Sequence, residues 1–215
     1  MNLIKTRGVI LKSMEYKEKD SMLQIFTGDL GKITVIAKGV RSARGRYQAA
    51  VQPMTLCDLV LFPGKNIHIL NEASVVHTFS GIKGDYEKIT YGSYFLELTD
   101  IAMADREPQE RYFVDLIKAL YLLDQSGIAV EQLARAFEVK TLLRTGNQPD
   151  PVLASAMTQT ARHCVWTMLN KPLEEILELD VTPADLAAVG DLTGNLLKEC
   201  FQRRPRSLDI LDAHY

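Results

Sequence analysis

The chain has 215 residues, of which 47% are hydrophobic and 24% charged, and its formal net charge is −2. That balance is ordinary for a folded protein with a sizeable core and excludes a disordered chain. The longest apolar runs, such as Leu59 to Phe62, fall far short of the roughly 18–20 residues that span a bilayer, so no membrane segment is expected.

The near-neutral total hides an asymmetry. Residues 1–50 hold ten Lys or Arg against four Asp or Glu, a balance of +6, whereas the rest holds 15 against 23, a balance of −8. A basic segment joined to an acidic one suggests a nucleic-acid surface at one end, with a solvated charged face as the bland alternative. Met1-Asn2-Leu3-Ile4-Lys5 runs straight into strand-like sequence without a signal core or cleavage site, which places the chain in the cytoplasm. Cys57, Cys164 and Cys200 are odd in number and widely spaced, so buried free thiols are expected rather than disulfides or a zinc ribbon.

In chain order, Thr6 to Tyr16, Ser21 to Thr27, Lys32 to Arg41, Met54 to Phe62 and Asn66 to Phe79 read as strands, rich in Val, Ile, Leu and Thr and partly alternating. Gly28-Asp29-Leu30-Gly31 and Pro63-Gly64-Lys65-Asn66 are short enough to close hairpins. Five short strands with one longer link around Ser42 to Pro53 suit a small closed barrel of the OB type, and an SH3-like barrel fits almost as well. After Gly81-Ile82-Lys83-Gly84 the period changes to 3.6: Tyr91, Phe95, Leu98 and Ala102 share one helical face, and Phe113, Leu116, Leu120 and Leu123 another. Asp150-Pro151 and Thr182-Pro183 read as helix starts, with Asp185 in the first turn of the second, and Gly127 and Gly146 read as stops. The expected fold is therefore α+β: an N-terminal five-stranded OB-type barrel over residues 1–80, followed by an all-helical domain over 81–215.

The strongest local feature is Lys38-Gly39-Val40-Arg41-Ser42-Ala43-Arg44-Gly45-Arg46-Tyr47, in which four cations occur with no acid among them. Lys38, Arg41, Arg44 and Arg46 can neutralise phosphates, Gly39 and Gly45 would let backbone approach a strand, and Tyr47 offers a stacking face; a solvated loop is the alternative. Lys5, Arg7, Lys12, Lys17, Lys19 and Lys32 add positive charge. No catalytic pattern is visible. Gly28-Asp29-Leu30-Gly31-Lys32 lacks phosphate-loop spacing, His68, His77, His163 and His214 are scattered, and His163 beside Cys164 on a helix would not pair, so no enzyme and no metal site are expected. Trp166, with Val165 and Leu169, reads as helical core, as do Leu192, Leu196 and Cys200. Arg203-Arg204-Pro205-Arg206 precedes Ser207, a possible cap for a last helix docked by Leu208 and Leu211; docking signal, anion site and solvated run stay open.

The order of parts resembles the RecO family of bacterial recombination mediators. The resemblance lies in Arg7-Gly8-Val9-Ile10-Leu11, Glu18-Lys19-Asp20, Leu23-Gln24-Ile25-Phe26-Thr27 with Gly31-Lys32, and Ala37-Lys38-Gly39-Val40-Arg41. It continues in Gln52-Pro53, Glu72-Ala73 and Arg204-Pro205-Arg206-Ser207-Leu208-Asp209-Ile210-Leu211. It implies an OB fold followed by a helical domain, binding of single- and double-stranded DNA and annealing of complementary strands. It also implies contact with RecR, help in loading RecA onto strands covered by single-strand-binding protein, and a nucleoid-associated location. Lys38, Arg41, Arg44 and Arg46, with Arg7 and Lys12, are the DNA contacts it suggests. It further implies that the helical domain binds the acidic, phenylalanine-ended tail of single-strand-binding protein in an apolar pocket rimmed by cations, for which Arg111, Lys118, Lys140 and Arg144 are candidates. Many members carry a four-cysteine zinc motif near the position of Arg144 to Pro151. This chain has none, so no zinc is expected and apolar packing alone should hold the helical domain. An interaction adaptor whose acidic helical domain does the work and whose OB-type barrel binds protein, and an RNA-binding barrel, are the competing readings.

Overall fold

A computed structural model describes residues 2–43, 45–150, 157–203 and 205–207. Five strands come first: β1 (Ile4–Tyr16), β2 (Asp20–Thr27), β3 (Gly31–Ala37), β4 (Leu56–Phe62) and β5 (His68–His77). The helices are α1 (Ser80–Lys83), α2 (Tyr86–Ala102), α3 (Glu110–Asp124), α4 (Val130–Arg144), α5 (Gln159–Asn170), α6 (Leu173–Ile176) and α7 (Pro183–Phe201). Backbone contacts group Met1–Ser80 with Met103–Phe113 as one unit, and Gly81–Ala102 with Val114–Tyr215 as the other.

In the barrel unit the sheet closes in the order β1-β2-β3-β5-β4. β3 and β5 run parallel, pairing Val35 with His68 and Ile36 with Ile69, and every other neighbouring pair is antiparallel. This is the connectivity of an OB-type barrel. Alternation decides which side chains fill it: in β3, Ile33, Val35 and Ala37 point inward with Ile10, Leu23, Ile25, Cys57, Leu59 and Leu61, while Lys32, Thr34 and Ile36 point outward. The third strand ends at Ala37 rather than Arg41, because Gly39 turns the chain at φ +67° and its N–H donates to Asp20 Oδ1 at 2.8 Å. Residues 103–113 complete this unit, an excursion that the helical period of the sequence does not announce. Phe26, on the outer face of β2, packs edge-on against Tyr112 and Phe113 with centroids 5.7 and 5.9 Å away. Arg106 N–H donates to the Lys32 carbonyl and Gln109 N–H to that of Gly28, each at 3.0 Å.

The helical unit is built around α4, whose Leu133, Ala134, Phe137, Val139 and Leu142 are wholly buried. Phe137 meets Phe95 of α2 at 4.6 Å. Apolar packing is not alone here, contrary to the expectation. Glu138, 1% exposed, accepts hydrogen bonds from Tyr94 Oη at 2.7 Å, from Arg135 Nη1 at 2.7 Å and from the Thr193 hydroxyl, tying α2, α4 and α7 to one carboxylate. Burial works against the Arg135 charge, but Glu138 outweighs it and pushes the guanidinium pKa further up. Thr182 caps α7 through Asp185 N–H with Pro183 at the first turn, as expected. The Asp150-Pro151 start falls on residues outside those described.

Three sequence expectations fail here. Trp166 is 55% exposed rather than core, because positions 164, 165 and 168 supply the buried face of α5 and 166 falls opposite. Cys200 is exposed near the end of α7, whereas Cys57 and Cys164 are buried; Leu192 and Leu196 are only half-buried. Ser207 gives its N–H and hydroxyl to Glu97 Oε2 at 3.0 and 2.8 Å. Arg204, Leu208 and Leu211 lie outside the described residues. Among the described residues no helix is long and apolar enough to cross a membrane.

Candidate nucleic-acid interface

The run 38–47 does not form one surface. Lys38 is exposed just beyond β3. Arg41 folds back onto the β1–β2 turn: its N–H donates to the Lys19 carbonyl at 3.0 Å, Nη1 to the Lys17 carbonyl at 3.4 Å, and Nη2 pairs with Glu15 at 2.5 Å. Lys17, Lys19 and Lys38 therefore cluster at this end of the barrel, with Arg41 already engaged. Tyr47, at φ +67°, packs against the barrel core and lines a cleft of about 520 Å³ with Lys5, Thr6, Leu59 and Ala73, on the β1–β4–β5 side. It is thus not placed to stack beside Arg41. Arg46 is exposed, and Arg44 lies outside the described residues. Gly45 serves the loop itself: a Cβ there would lie 2.3 Å from the Val40 carbonyl oxygen, so that space is taken by the chain and not by a ligand, whereas a Cβ on Gly39 would meet nothing within 4 Å. Arg7 forms a forked pair with Asp58 of β4, Nε to Oδ1 at 2.7 Å and Nη2 to Oδ2 at 3.0 Å. Its hydrogen bond holds the Asp58 carboxyl below the usual range.

The structure brings together residues that charge counting passes over. β1 carries a register shift between Ile10 and Lys12, after which Lys12 and Met14 face outward. Across the barrel, Met14 pairs with Met22, Met22 with Ile36, Ile36 with Ile69, and Ile69 with Phe62. This makes a continuous apolar row on the outer face, with Met14 42% and Phe62 41% exposed. Lys12, Gln24 and Thr34 form the adjacent row on one side. On the other lie Tyr16, with the Lys17 ammonium 5.4 Å from its ring centre, and the turn that carries Lys38. Lys12 and Tyr16 are four steps apart along the strand, about 13 Å at roughly 3.3 Å per residue. The signal in the sequence was the outward parity of Met22 and Ile36 in strands whose other parity is core.

In the helical unit, Lys118, Lys140 and Arg144 line one cleft of about 310 Å³ with Leu143, Leu169, Pro172 and Leu173; Arg111 does not line it. Lys140 is buried, and its ammonium donates to the Lys171 carbonyl at 2.7 Å and to that of Leu169 at 3.3 Å, at the C-terminal end of α5. Burial pushes its pKa down, Asp115 opposes that, and Arg144 adds to it. Arg144 Nε pairs with Asp115 at 2.7 Å, and Lys118 with Glu174 at 3.0 Å.

A family model described as "Recombination protein O N terminal" matches residues 1–79, and one described as "Recombination protein O C terminal" matches residues 83–152. The chain is 41% identical over 241 aligned positions to the "DNA repair protein RecO" of Clostridium perfringens strain 13, covering 98% of each. A protein of the same description from Clostridium novyi is 37% identical over 146 residues, which take in 68% of this chain but only 57% of that protein. One from Alkaliphilus metalliredigens is 34% identical over 169 residues, 79% of this chain and 68% of that protein.

Proposed function

We propose, from the premise that the chain belongs to the RecO family of DNA repair proteins, that it holds single DNA strands on its barrel and anneals complementary strands without a catalytic step. The observation that supports this reading is the apolar row Met14–Met22–Ile36–Ile69 bordered by lysines on both sides. Bases laid over aliphatic side chains lose water, while Lys12 on one side and Lys17, Lys19 and Lys38 on the other meet the phosphates. Such contacts carry little base information, which suits a protein that must accept any sequence. Lys38 and Arg46 stand among the cations offered to the strand. Arg41 and Arg7 would act mainly through the loop and the β1–β4 pair they already hold.

The test is a double substitution, Met22→Ser with Ile36→Ser, read by fluorescence anisotropy of a labelled oligothymidylate. Affinity should fall about tenfold while thermal melting barely moves, because both side chains lie on the outer face. Replacing Lys17, Lys19 and Lys38 together by Ala should reduce the slope of log affinity against log salt by about 2, at roughly 0.7 per phosphate on single strands. Unchanged affinity and slope in both variants would remove the strand from this face.

The cleft of Lys118, Lys140 and Arg144 has the chemistry for the acidic, phenylalanine-ended tail of single-strand-binding protein: leucines for the ring and cations for the carboxylates. A labelled peptide of that kind should bind, and Lys118→Glu should abolish binding. Unaltered binding by that variant would sink the assignment. In this reading the protein brings such coated strands together and, with RecR, assists RecA loading.

A further inference from the structure

The single tryptophan of the chain is not spent on the core. Trp166 is 55% exposed on α5, and its ring lies nearly parallel to that of His163, 15° between planes and 6.2 Å between centres. Helical side chains lean toward the helix N-terminus, and this pair follows that rule. The indole is therefore directed away from the C-terminal end of α5, where Leu169 and Asn170 line the cationic cleft. Gln159, Arg162, His163, Trp166 and Asn170 recur at three- and four-residue spacing and are all exposed, so they share one face. Asn170 Nδ2 donates to the Trp166 carbonyl at 2.8 Å, which fixes that amide beside the ring's turn. No carboxylate occurs anywhere in α5, although the chain beyond residue 50 carries a net −8.

We infer that this face is a second single-strand contact, in which Trp166 backed by His163 stacks on an unpaired base while Arg162 meets the neighbouring phosphate. The inference rests on the strand-binding reading above and extends it from the barrel unit to the helical one. A protein partner would bury the indole in a contiguous apolar surround, but here the ring's neighbours on the face are Gln, Arg, His and Asn. Those are groups that stack on and hydrogen-bond to bases. That α5 supplies cationic and neutral polar side chains and none of the domain's acids also favours a polyanion. Annealing gives such a contact a use, since two strands have to be held.

Because Trp166 is the only tryptophan, its emission reports this face alone. The full-length protein is titrated with oligothymidylate at low salt while indole fluorescence and the anisotropy of a labelled oligonucleotide are both followed. Saturable quenching with the same midpoint as the anisotropy change is expected. Trp166→Ala should weaken single-strand binding about five- to tenfold, and Trp166→Phe less, in line with the loss of one base stack. Trp166→Leu, which keeps an apolar side chain without a π-face, should behave like Ala, whereas a merely structural role would make Leu and Phe alike. Anisotropy that saturates with unchanged indole emission and an unaffected Ala variant would overturn the inference and leave the barrel reading standing. No anisotropy change at all would overturn both. Quenching by an acidic phenylalanine-ended peptide and not by the oligonucleotide would assign the face to a protein and overturn the inference.

Discussion

Glu138→Gln isolates the charge at the centre of the helical unit, since it changes almost nothing else. The side chain keeps its shape, and its remaining carbonyl oxygen can still accept from Tyr94 or Arg135, while the Thr193 hydroxyl, 3.2 Å from the Gly190 carbonyl, has an alternative acceptor. What disappears is the negative charge against Arg135. Breaking a buried pair by removing one partner costs about 3–5 kcal/mol. Arg135 is not fully sealed: its side chain is 21% exposed and Glu131 approaches it to 3.9 Å. The expected cost is therefore at or below the bottom of that range, about 2–3 kcal/mol, rising to about 4 for Glu138→Ala, which also removes the acceptor of the Tyr94 hydroxyl bond. Urea unfolding followed by helical circular dichroism and by Trp166 emission reads the helical unit directly. Glu138→Met combined with Arg135→Met should cost less than the sum of the single changes, because the pair vanishes together. If Glu138→Gln unfolds within about 0.5 kcal/mol of the parent chain, the pairing with Arg135 adds nothing beyond ordinary hydrogen bonding and the reasoning fails.

Two further outcomes test the barrel unit. Gly31 has φ +69°, and a Cβ there would lie 2.3 Å from the Glu107 carbonyl oxygen, so Gly31→Ala should cost about 1–3 kcal/mol and lower the barrel's urea midpoint; an unchanged midpoint would mean that residues 103–113 are not held against β3. His68 has its pKa lowered, first by burial and then by Arg106. The unfolded chain therefore takes up the proton more readily, so the His68 contribution is fully present above the ordinary value of 6.5 and is lost as pH falls from there through the folded-state value. His68→Gln should flatten the fall of the urea midpoint over that window, and an identical pH profile would refute the assignment.

The barrel was legible because alternation is a local code: Ile33, Val35 and Ala37 declare an inward face whatever their partners. Helix starts such as Thr182-Pro183 were legible for the same reason. Charge counting drew attention to 38–47, but it could not show that Arg41 spends its donors on Glu15 and the Lys17 carbonyl, or that Tyr47 turns toward β4, because both depend on residues far away in sequence. The apolar row depends on register across four strand pairs, including the parallel β3–β5 step, and no single segment encodes it. Glu138 and Arg135 are three residues apart, a spacing common on solvated helical faces, and only the packing of α2 and α7 around α4 makes them interior. Trp166 was misread because indole is usually buried, whereas its position on α5 decides otherwise.

The return of residues 103–113 to the barrel has a consequence for synthesis. A chain emerging from the ribosome exposes all five strands once residue 77 is out, yet Phe26, with no solvent exposure in the finished unit, still lacks Tyr112 and Phe113. The barrel therefore cannot finish before the whole of α2 has also emerged. Its surface carries a temporary aromatic vacancy during that interval, and a nascent chain stalled near residue 100 should be more sensitive to protease, and more attractive to a chaperone, than one stalled beyond residue 113.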